Sequence, residues 1–312
     1  MPDGFESFAE RIDGQKIRER SESFRDHFSQ ATLFYNSMSP PEKEHIISAL
    51  QFELGKVMTM HVRERVVDLL TNVDLELAQR VAAGIGVTCD ATPRNNSAAM
   101  KRLQEGWEKF GVTSVPGKPR KSSVERSPVL SMENTIKDTV KTRKIAILAA
   151  DAVDADHLNG MKAALTAAGA LTELVSPLPL VKASDGSELK ADKTLLTTGS
   201  VIYDAVFVPG GAGSAATLAE NGNAIHFINE AFKHCKAIAA TGEGVDLLLA
   251  SHIVPPGTGG KATDEALQSL GSVFAVRQPG DLSRVAQEFI AAIAKHRDWS
   301  RESSAQAGLV PA

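Results

Sequence analysis

Lys144-Ile145-Ala146-Ile147-Leu148-Ala149 and Asp204-Ala205-Val206-Phe207-Val208 are the two stretches that decide the fold of the larger part of this chain. Each begins at a charged residue and then continues as an apolar run, with no polar position on either face. Such runs are typical of strands buried on both faces, as in parallel sheets that are covered by helices. The second run leads into Pro209-Gly210-Gly211-Ala212-Gly213, whose glycines indicate a tight turn.

Three further predicted strands and four helical patterns accompany these two strands. The strands are predicted at 171–175, 237–240 and 273–276, and the helical patterns lie at 154–168, 223–234, 243–251 and 283–298. Strands that alternate with helices predict an α/β domain with a parallel sheet. We therefore predict a five-stranded, flavodoxin-like open parallel sheet with flanking helices over residues 143–302. Residues 176–199 contain the turn Ser184-Asp185-Gly186 and predict a small hairpin or excursion.

The first part of the chain, residues 1–86, is predicted to be a small all-α segment. Ser39-Pro40-Pro41-Glu42 has the pattern of a capping box with proline in the first turn. Apolar residues then recur every three or four positions until Gly86, and a shorter helix is predicted around Phe28 and Phe34. A helical segment of about 80 residues is only marginally stable alone, so we expect it to need a partner surface.

Charge and composition separate these two parts. Residues 86–143 carry 11 basic and 6 acidic side chains, a net charge of +5, whereas the whole chain carries 34 basic and 38 acidic residues, a net charge of −4. The middle stretch is also rich in proline, serine and asparagine, which predicts an extended basic linker over 87–142. Residues 303–312 are predicted to be a tail.

Composition also argues against several classes of partner and site. A net charge of −4 gives no general attraction to nucleic acid or to anionic membranes. The sequence contains no run of 18 apolar residues, so no membrane span is predicted. Cys89 and Cys235 are the only cysteines, which excludes a disulfide framework and a cysteine-rich metal site. The first residues lack a signal-peptide pattern, and the sequence does not indicate the cellular compartment of the protein.

Three loops follow the carboxyl ends of predicted strands, where open α/β sheets bind ligands. In residues 150–156 the aspartates could act as general acids or bases, hold part of a cation site, or cap a helix. In residues 209–214 the glycines could bind an anion through backbone N–H groups or form a tight strand-to-helix turn. We expect capping in the first loop and a turn in the second.

The third loop, Thr241-Gly242-Glu243-Gly244, has the strand–turn–helix setting of a nucleophile elbow. It contains neither serine nor cysteine, and the sequence shows nothing that would activate the hydroxyl of Thr241. Cys235 precedes its strand and so belongs to the opposite end. The eight histidines have no metal-ligand spacing and are expected to be surface or capping residues. The residues alone therefore predict loops with the geometry of a ligand-binding site but without an evident catalytic residue.

Several stretches resemble known catalases. Asp26-His27-Phe28-Ser29-Gln30-Ala31-Thr32-Leu33-Phe34-Tyr35-Asn36-Ser37 and Asn72-Val73-Asp74-Leu75-Glu76-Leu77-Ala78 resemble the helical segment that follows the core of haem catalases. Residues 144–302, which close on His296-Arg297-Asp298-Trp299-Ser300-Arg301-Glu302, resemble the C-terminal domain of large-subunit catalases, more closely the fungal ones. The resemblance implies a parent enzyme that decomposes hydrogen peroxide with haem.

The haem-binding motifs of that family are missing. Catalases of this kind need a distal histidine in an Arg-x-Val-His setting, a distal asparagine and a proximal tyrosine in an Arg-x-x-x-Tyr setting. Tyr35 and Tyr203 are the only tyrosines, and neither stands in that context. The resemblance therefore implies a C-terminal region that lacks the haem core, holds no cofactor of its own and is not itself catalytic, with haem in the parent catalase.

The α/β domain also resembles the DJ-1/PfpI superfamily, which is related to class I glutamine amidotransferases. In that family a cysteine occupies the elbow, an acidic residue comes from the loop after the first strand, and a Pro-Gly-Gly loop supplies oxyanion donors. Gly242 stands where the cysteine belongs, followed by Glu243, while Asp156 lies near the acidic position and Gly210 and Gly211 match the donor loop. The resemblance thus implies a degenerate site without its nucleophile.

Three functions follow from these expectations. The first is a chaperone-like holdase with a stabilising role, whose partners are unfolded client proteins. The second is a structural module for the parent catalase core, its tetramer and its haem channel. The third is a small-molecule DJ-1/PfpI-type enzyme with a degenerate site. We expect no nucleic acid and no membrane as partner, self-association stays open, and the parent is either cytoplasmic or secreted.

Overall fold

The computed structural model describes residues 9–11, 13, 26–89, 124–254, 263–280, 282–302 and 310–311. These residues form two compact units, one within residues 1–134 and the other within residues 135–312. Most of the predicted basic linker, residues 90–123, lies outside the described residues. Within the described ranges, no helix is both long enough and apolar enough to cross a lipid bilayer.

The first unit contains four helices: α1 (Ser29–Ser37), α2 (Pro40–Gly55), α3 (Met60–Leu70) and α4 (Leu75–Ile85). Its core is built mainly from α4, in which Leu77, Ala78, Val81, Ala82 and Ile85 are buried against Ile47, Leu54 and Val67. These α4 residues recur at the three- and four-residue spacing that places them on one face of a helix. The amphipathic stripes of the sequence thus predicted the helices of this unit.

Local signals set the ends of these helices. Glu42 accepts a hydrogen bond from the N–H of Ser39 at 2.8 Å, which closes the predicted capping box of α2. The side chain of Asp74 caps α4 by accepting from the N–H of Leu77 at 2.8 Å. Gly86 ends α4 with φ +72°, in the left-handed region that glycine enters at little cost.

Glu42 also joins the helices to the segment at 124–134. Its carboxylate accepts hydrogen bonds from the Ser131 hydroxyl and from the N–H of Met132, both at 2.8 Å. Burial alone would raise the pKa of Glu42, but these bonds and the one from Ser39 outweigh it and hold the pKa below its ordinary value. The ionised carboxylate therefore fastens this end of the predicted linker to the helical unit.

The second unit is a mixed α/β structure around a six-stranded sheet. The strands are β1 (Lys144–Leu148), β2 (Leu171–Ser176), β5 (Lys193–Thr194), β6 (Ala205–Val208), β7 (Ala237–Thr241) and β8 (Val273–Val276), in the order β5-β2-β1-β6-β7-β8. Every pairing in this sheet is parallel. The five predicted strands are all present, and β5 adds a two-residue edge strand that is too short to leave a sequence signal.

Helices cover both faces of the sheet. They are α5 (Ala155–Ala167), α6 (Ala212–Ala219), α7 (Gly222–Lys233), α8 (Val245–Ala250), α9 (Asp264–Gln268), α10 (Leu282–Ala294) and α11 (Trp299–Glu302). Ile145 and Ile147 pack with α5 and α10 on one face, and Ala146 and Leu148 pack with α7 and α8 on the other. This alternation follows from the two-residue period of a strand and explains the continuous apolar runs.

Several predicted helix bounds needed correction. The pattern at 243–251 begins as a 3₁₀ turn over Gly242–Gly244 before α8 starts. The pattern at 283–298 gives a helix that ends at Ala294, because His296 takes a left-handed φ of +70°. The short helices α6 and α9 were not predicted, since eight and five residues give little periodicity.

The excursion between β2 and β6 is the predicted hairpin. Strands β3 (Leu180–Lys182) and β4 (Glu188–Lys190) pair antiparallel around Gly186, which has φ +85°. Near the end of the chain, Val310 is buried in the core and the carbonyl of Pro311 accepts a hydrogen bond from the Asn229 side chain at 3.2 Å. These two residues of the predicted tail are therefore packed on the α/β unit.

We expect Glu42→Gln to lower the free energy of unfolding of the helical unit by about 2 kcal/mol at neutral pH, because charge-assisted hydrogen bonds are lost. The lowered pKa of Glu42 makes its contribution fully present above the ordinary carboxyl range and lost as pH falls through the folded-state value. Urea unfolding followed by circular dichroism should show the two proteins converging as pH falls below the ordinary carboxyl range.

The exposed Glu64 of α3 provides a matched control. Glu64→Gln should change stability by less than about 0.5 kcal/mol at any of these pH values, as is usual for surface substitutions. An equal effect of the two substitutions, or a Glu42→Gln effect that does not depend on pH, would contradict the role assigned to Glu42.

Candidate functional site

The carboxyl ends of β1, β6 and β7 bring the three predicted loops together. The N–H of Asp154, after β1, donates to the carbonyl of Gly210, after β6, at 2.8 Å. The N–H of Gly211 donates to the Glu243 carboxylate, after β7, at 2.9 Å. The three loops that were singled out in the sequence therefore form one cluster at the edge where parallel α/β sheets bind ligands.

Two glycines allow the loops to approach this closely. Gly211 has φ +112°, and a Cβ there would overlap the Ala152 carbonyl oxygen and lie 2.7 Å from the nitrogen of Asp154. A Cβ on Gly244 would lie 2.5 Å from the carbonyl oxygens of Pro209 and Val208. A side chain at either position would push two backbone segments apart, so glycine is required by space as well as by conformation.

The turn after β7 has the backbone of an elbow. Gly242 follows the fully buried Thr241 and takes φ +57°, and a 3₁₀ turn then leads into α8. A Cβ on Gly242 would lie 3.2 Å from the Cα of Gly210 and 3.3 Å from Cε1 of His157. The position that the predicted elbow offers to a nucleophile thus faces the glycine loop and an imidazole ring.

His157 is the residue of this cluster that sequence reasoning missed. Its Nδ1 lies 3.3 Å from the Thr241 hydroxyl oxygen, and a Cβ on Gly210 would lie 2.7 Å from the same atom. The ring therefore lies against both Gly210 and Gly242. One feature of the sequence could have identified His157. It lies next to the predicted Asp156, in the first turn of the helix that follows the loop after β1.

Glu243 occupies the backbone donor of the glycine loop. Its carboxylate accepts from the N–H of Gly211, and this hydrogen bond, together with one from its own N–H, lowers the pKa of Glu243. Gly211 is also the N-terminal cap of α6, a position where a helix favours negative charge. An anion from the chain itself therefore lies where the sequence predicted that a ligand anion could bind.

The aspartates of the first loop have separate places. Asp154 caps α5 by accepting from the N–H of His157 at 2.8 Å, and Asp151 accepts from the N–H of Lys182 at 2.9 Å. The expectation of helix capping is thus confirmed for Asp154. Asp156 is exposed in the first turn of α5, where its charge complements the helix dipole.

The buried thiol lies away from this cluster. Cys235 precedes β7 with φ +58°, at the opposite end of the strand from the elbow, as the sequence predicted. Burial raises the pKa of the Cys235 thiol to about 12. Because the thiolate is the nucleophilic form, this cysteine is not activated for chemistry.

Three alanine substitutions separate the two reasons for glycine at position 211. We expect Gly222→Ala, at a helical position with no atom within 4 Å of the new Cβ, to be neutral within about 0.5 kcal/mol. Gly186→Ala has free space but a positive φ, and should cost about 1 kcal/mol. Gly211→Ala combines strain with overlap and should cost about 3 kcal/mol.

Thermal unfolding of the three variants measures these differences directly. If Gly211→Ala is no more destabilising than Gly186→Ala, the close approach of the loops after β1 and β6 is not a packing constraint.

Comparisons with known proteins match both units. Residues 21–85 match the family described as "Catalase-related immune-responsive", and residues 141–303 match the family described as "C-terminal domain found in long catalases". "Catalase-2" of Bacillus subtilis (strain 168) is 39% identical over 96% of this chain and 37% of its own length. "Catalase HPII" of Mycobacterium avium is 37% identical over 97% of this chain and 39% of its own length.

A fungal relative gives a similar match. "Catalase-1" of Neurospora crassa is 36% identical over 96% of this chain and 39% of its own length. The chain thus spans less than two-fifths of the length of each of these three relatives. Because residues 141–303 make up more than half of the 312 residues, the chain belongs to the family of the C-terminal domain found in long catalases.

Proposed function

We propose that this chain is a noncatalytic C-terminal region of a long catalase that decomposes hydrogen peroxide. The match of both units, in order, to catalases along almost the whole chain supports the parent enzyme. The observation that carries the noncatalytic part is the state of the elbow, where Gly242 replaces a nucleophile and Glu243 holds the N–H of Gly211. A fungal source stays a prediction, since bacterial and fungal relatives match about equally well.

The chemistry of the two tyrosines does not fit haem iron. A tyrosine ligates haem iron as the tyrosinate, so a raised pKa opposes ligation. Burial, and then the hydrogen bond that its hydroxyl donates to Glu173 at 2.7 Å, raise the pKa of Tyr203. Burial and the nearby charge of Asp74 raise the pKa of Tyr35. We therefore propose that this chain binds no haem of its own and that haem belongs to the parent.

We further propose that the α/β unit is a flavodoxin-like domain of the DJ-1/PfpI type. The order β2-β1-β6-β7-β8 is 2-1-3-4-5 when these five strands are numbered along the chain, which is the flavodoxin order. The positive φ of Gly242 and the glycine loop at Gly210 and Gly211 support the same relationship. Because Asp156 is exposed and makes no hydrogen bond within this cluster, an enzyme using these positions is the weaker alternative.

We also propose that residues 1–86 and 143–302 are the two functional domains of the chain. Residues 87–142 join them, and residues 303–312 form the tail. The exposed apolar side chains of the helical unit support a binding role for it. Phe52 is 66% exposed and Met58 is 89% exposed, and further large apolar side chains of this unit are exposed as well: Phe34, Met60, Val62 and Leu69. We propose that these side chains form an interaction surface, as contiguous exposed apolar patches do.

Two partners suit this surface. In a parent catalase it would pack against the enzyme core and support the tetramer, which makes the chain a structural module. In the separate chain it would hold unfolded client proteins, because a holdase needs apolar surface rather than a nucleophile. The holdase role and the structural role therefore use the same residues, and the first can be measured on the chain alone.

The noncatalytic proposal predicts that the purified chain, supplied with haem, shows no Soret band of a tyrosinate-ligated iron and releases no dioxygen from peroxide. Absorbance spectroscopy and an oxygen electrode measure both properties in one sample. The release of dioxygen above the rate of free haem would overturn the proposal. If Asp156→Ala then abolished a measured turnover, the alternative of a DJ-1/PfpI-type enzyme would be favoured instead.

The holdase proposal predicts that an equimolar amount of the chain lowers light scattering from a heat-denatured client. The double variant Phe52→Ser/Met58→Ser should lose at least about half of this protection, since each apolar side chain contributes on the order of 1–2 kcal/mol when covered. Leu196→Ser, which changes an 84% exposed leucine of the α/β unit, is the matched control and should keep it. Unchanged scattering with the original chain would contradict the proposal.

A further inference from the structure

A cavity lies at the opposite edge of the sheet from the elbow. It has a volume of about 900 Å³ and is bounded by residues 137–140 before β1, by the end of α5, by the outer face of α10 and by residues 297–299. We call it the amino-edge cavity, because its wall residues Val140, Ala168 and Ser272 precede β1, β2 and β8. Its volume is within the range of about 300–1,000 Å³ that is typical of small-molecule sites.

One wall of the amino-edge cavity is apolar. Ile290, Ala291 and Ala294 of α10 form this wall, and Val140 and Ala168 continue it. Trp299, the first residue of α11, also lines the cavity and is half-buried. A flat, partly accessible indole beside small aliphatic side chains is a surface on which an aromatic ring can stack.

The charged side chains of the cavity include two lysines without a counter-ion. Lys137 comes from the segment before β1 and Lys295 from the end of α10, and among the described residues neither forms an ion pair. Arg297 already bonds Glu302 at 3.1 Å, and the Asp298 carboxylate accepts from the hydroxyl and the N–H of Ser300. Counting Asp138 as well, the wall has three cations and two anions.

The free charged donors are therefore the ammonium groups of Lys137 and Lys295, which come from two separate elements. An anionic group between Lys137 and Lys295 would receive a charge-assisted hydrogen bond from each, and these bonds are stronger than neutral ones. A ring attached to the same molecule would then be placed against Trp299 and the alanines of α10. Among the described residues Asp138 has no hydrogen-bond or ion-pair partner, and it would disfavour ligands that carry a second anionic group away from the lysines.

We propose that the amino-edge cavity binds a small molecule that combines one aromatic ring with one anionic group. This site is separate from the elbow and does not depend on the proposed function of the chain. Its recognition comes from three features: the two lysines for the anion, Trp299 for the ring and the apolar face of α10 for the rest of the molecule.

Phenyl phosphate is a suitable probe, with inorganic phosphate and phenol as its two separate halves. In a Trp107→Phe background, Trp299 is the only tryptophan, so its emission reports binding, and calorimetry gives an independent dissociation constant. We expect phenyl phosphate to bind about tenfold more tightly than either half, since aromatic stacking alone is worth up to about that factor. Absence of binding, or equal binding of inorganic phosphate, would overturn the proposal.

Two variants test the assigned residues by calorimetry. Lys137→Gln/Lys295→Gln should weaken phenyl phosphate binding about tenfold and leave phenol unaffected, whereas Trp299→Leu should weaken phenyl phosphate and phenol alike. Lys190→Gln, on the exposed strand β4, is the matched control and should change neither. Circular dichroism checks that each variant is folded. An unchanged affinity in the double lysine variant, or an equal loss in Lys190→Gln, would show that the site is not the one assigned.

Discussion

The arrangement of the elbow depends on a close contact between two backbones. The turn after β6 passes the loop after β1 at a distance that leaves no room for a Cβ at Gly211. The hydrogen bond from Asp154 to the carbonyl of Gly210 fixes the same two segments. Because β1, β6 and β7 are neighbours in the sheet, this contact also sets the distance from the glycine loop to the turn at Gly242.

The chain fills this edge with its own groups. His157 lies against Gly210 and Gly242, and Glu243 accepts the N–H of Gly211. A backbone donor at the start of a helix attracts anions, and here an internal carboxylate satisfies it. Other features of the described residues that face solvent are the exposed apolar side chains of the helical unit and the amino-edge cavity of the α/β unit. Both proposed binding surfaces are thus formed by residues other than those of the carboxyl edge, where such a fold usually presents its chemistry.

Strong local signals explain what could be predicted. The apolar runs around Ile147 and Phe207 identified strands buried on both faces, because only a covered parallel sheet suits such runs. The capping box at Ser39 and the glycine at position 86 marked helix ends through their own hydrogen bonds and dihedral angles. The sixth strand, of two residues, and the short helices α6 and α9 were missed, since tertiary packing rather than periodicity holds such elements in place.

The sequence by itself determined the alternation of strands and helices, the glycines of the two turns and the absence of a cysteine or serine at the elbow. These properties depend on the local order of residues, because short-range sterics and local hydrogen bonds determine them. Only the tertiary structure decided that His157 rather than Asp156 faces the elbow and that the Glu243 carboxylate accepts the hydrogen bond from the N–H of Gly211. Both contacts depend on which loops lie next to each other in the folded chain. The pairing of β6 with β1 and with β7 brings these loops together, although His157 and Thr241 are some eighty residues apart in sequence.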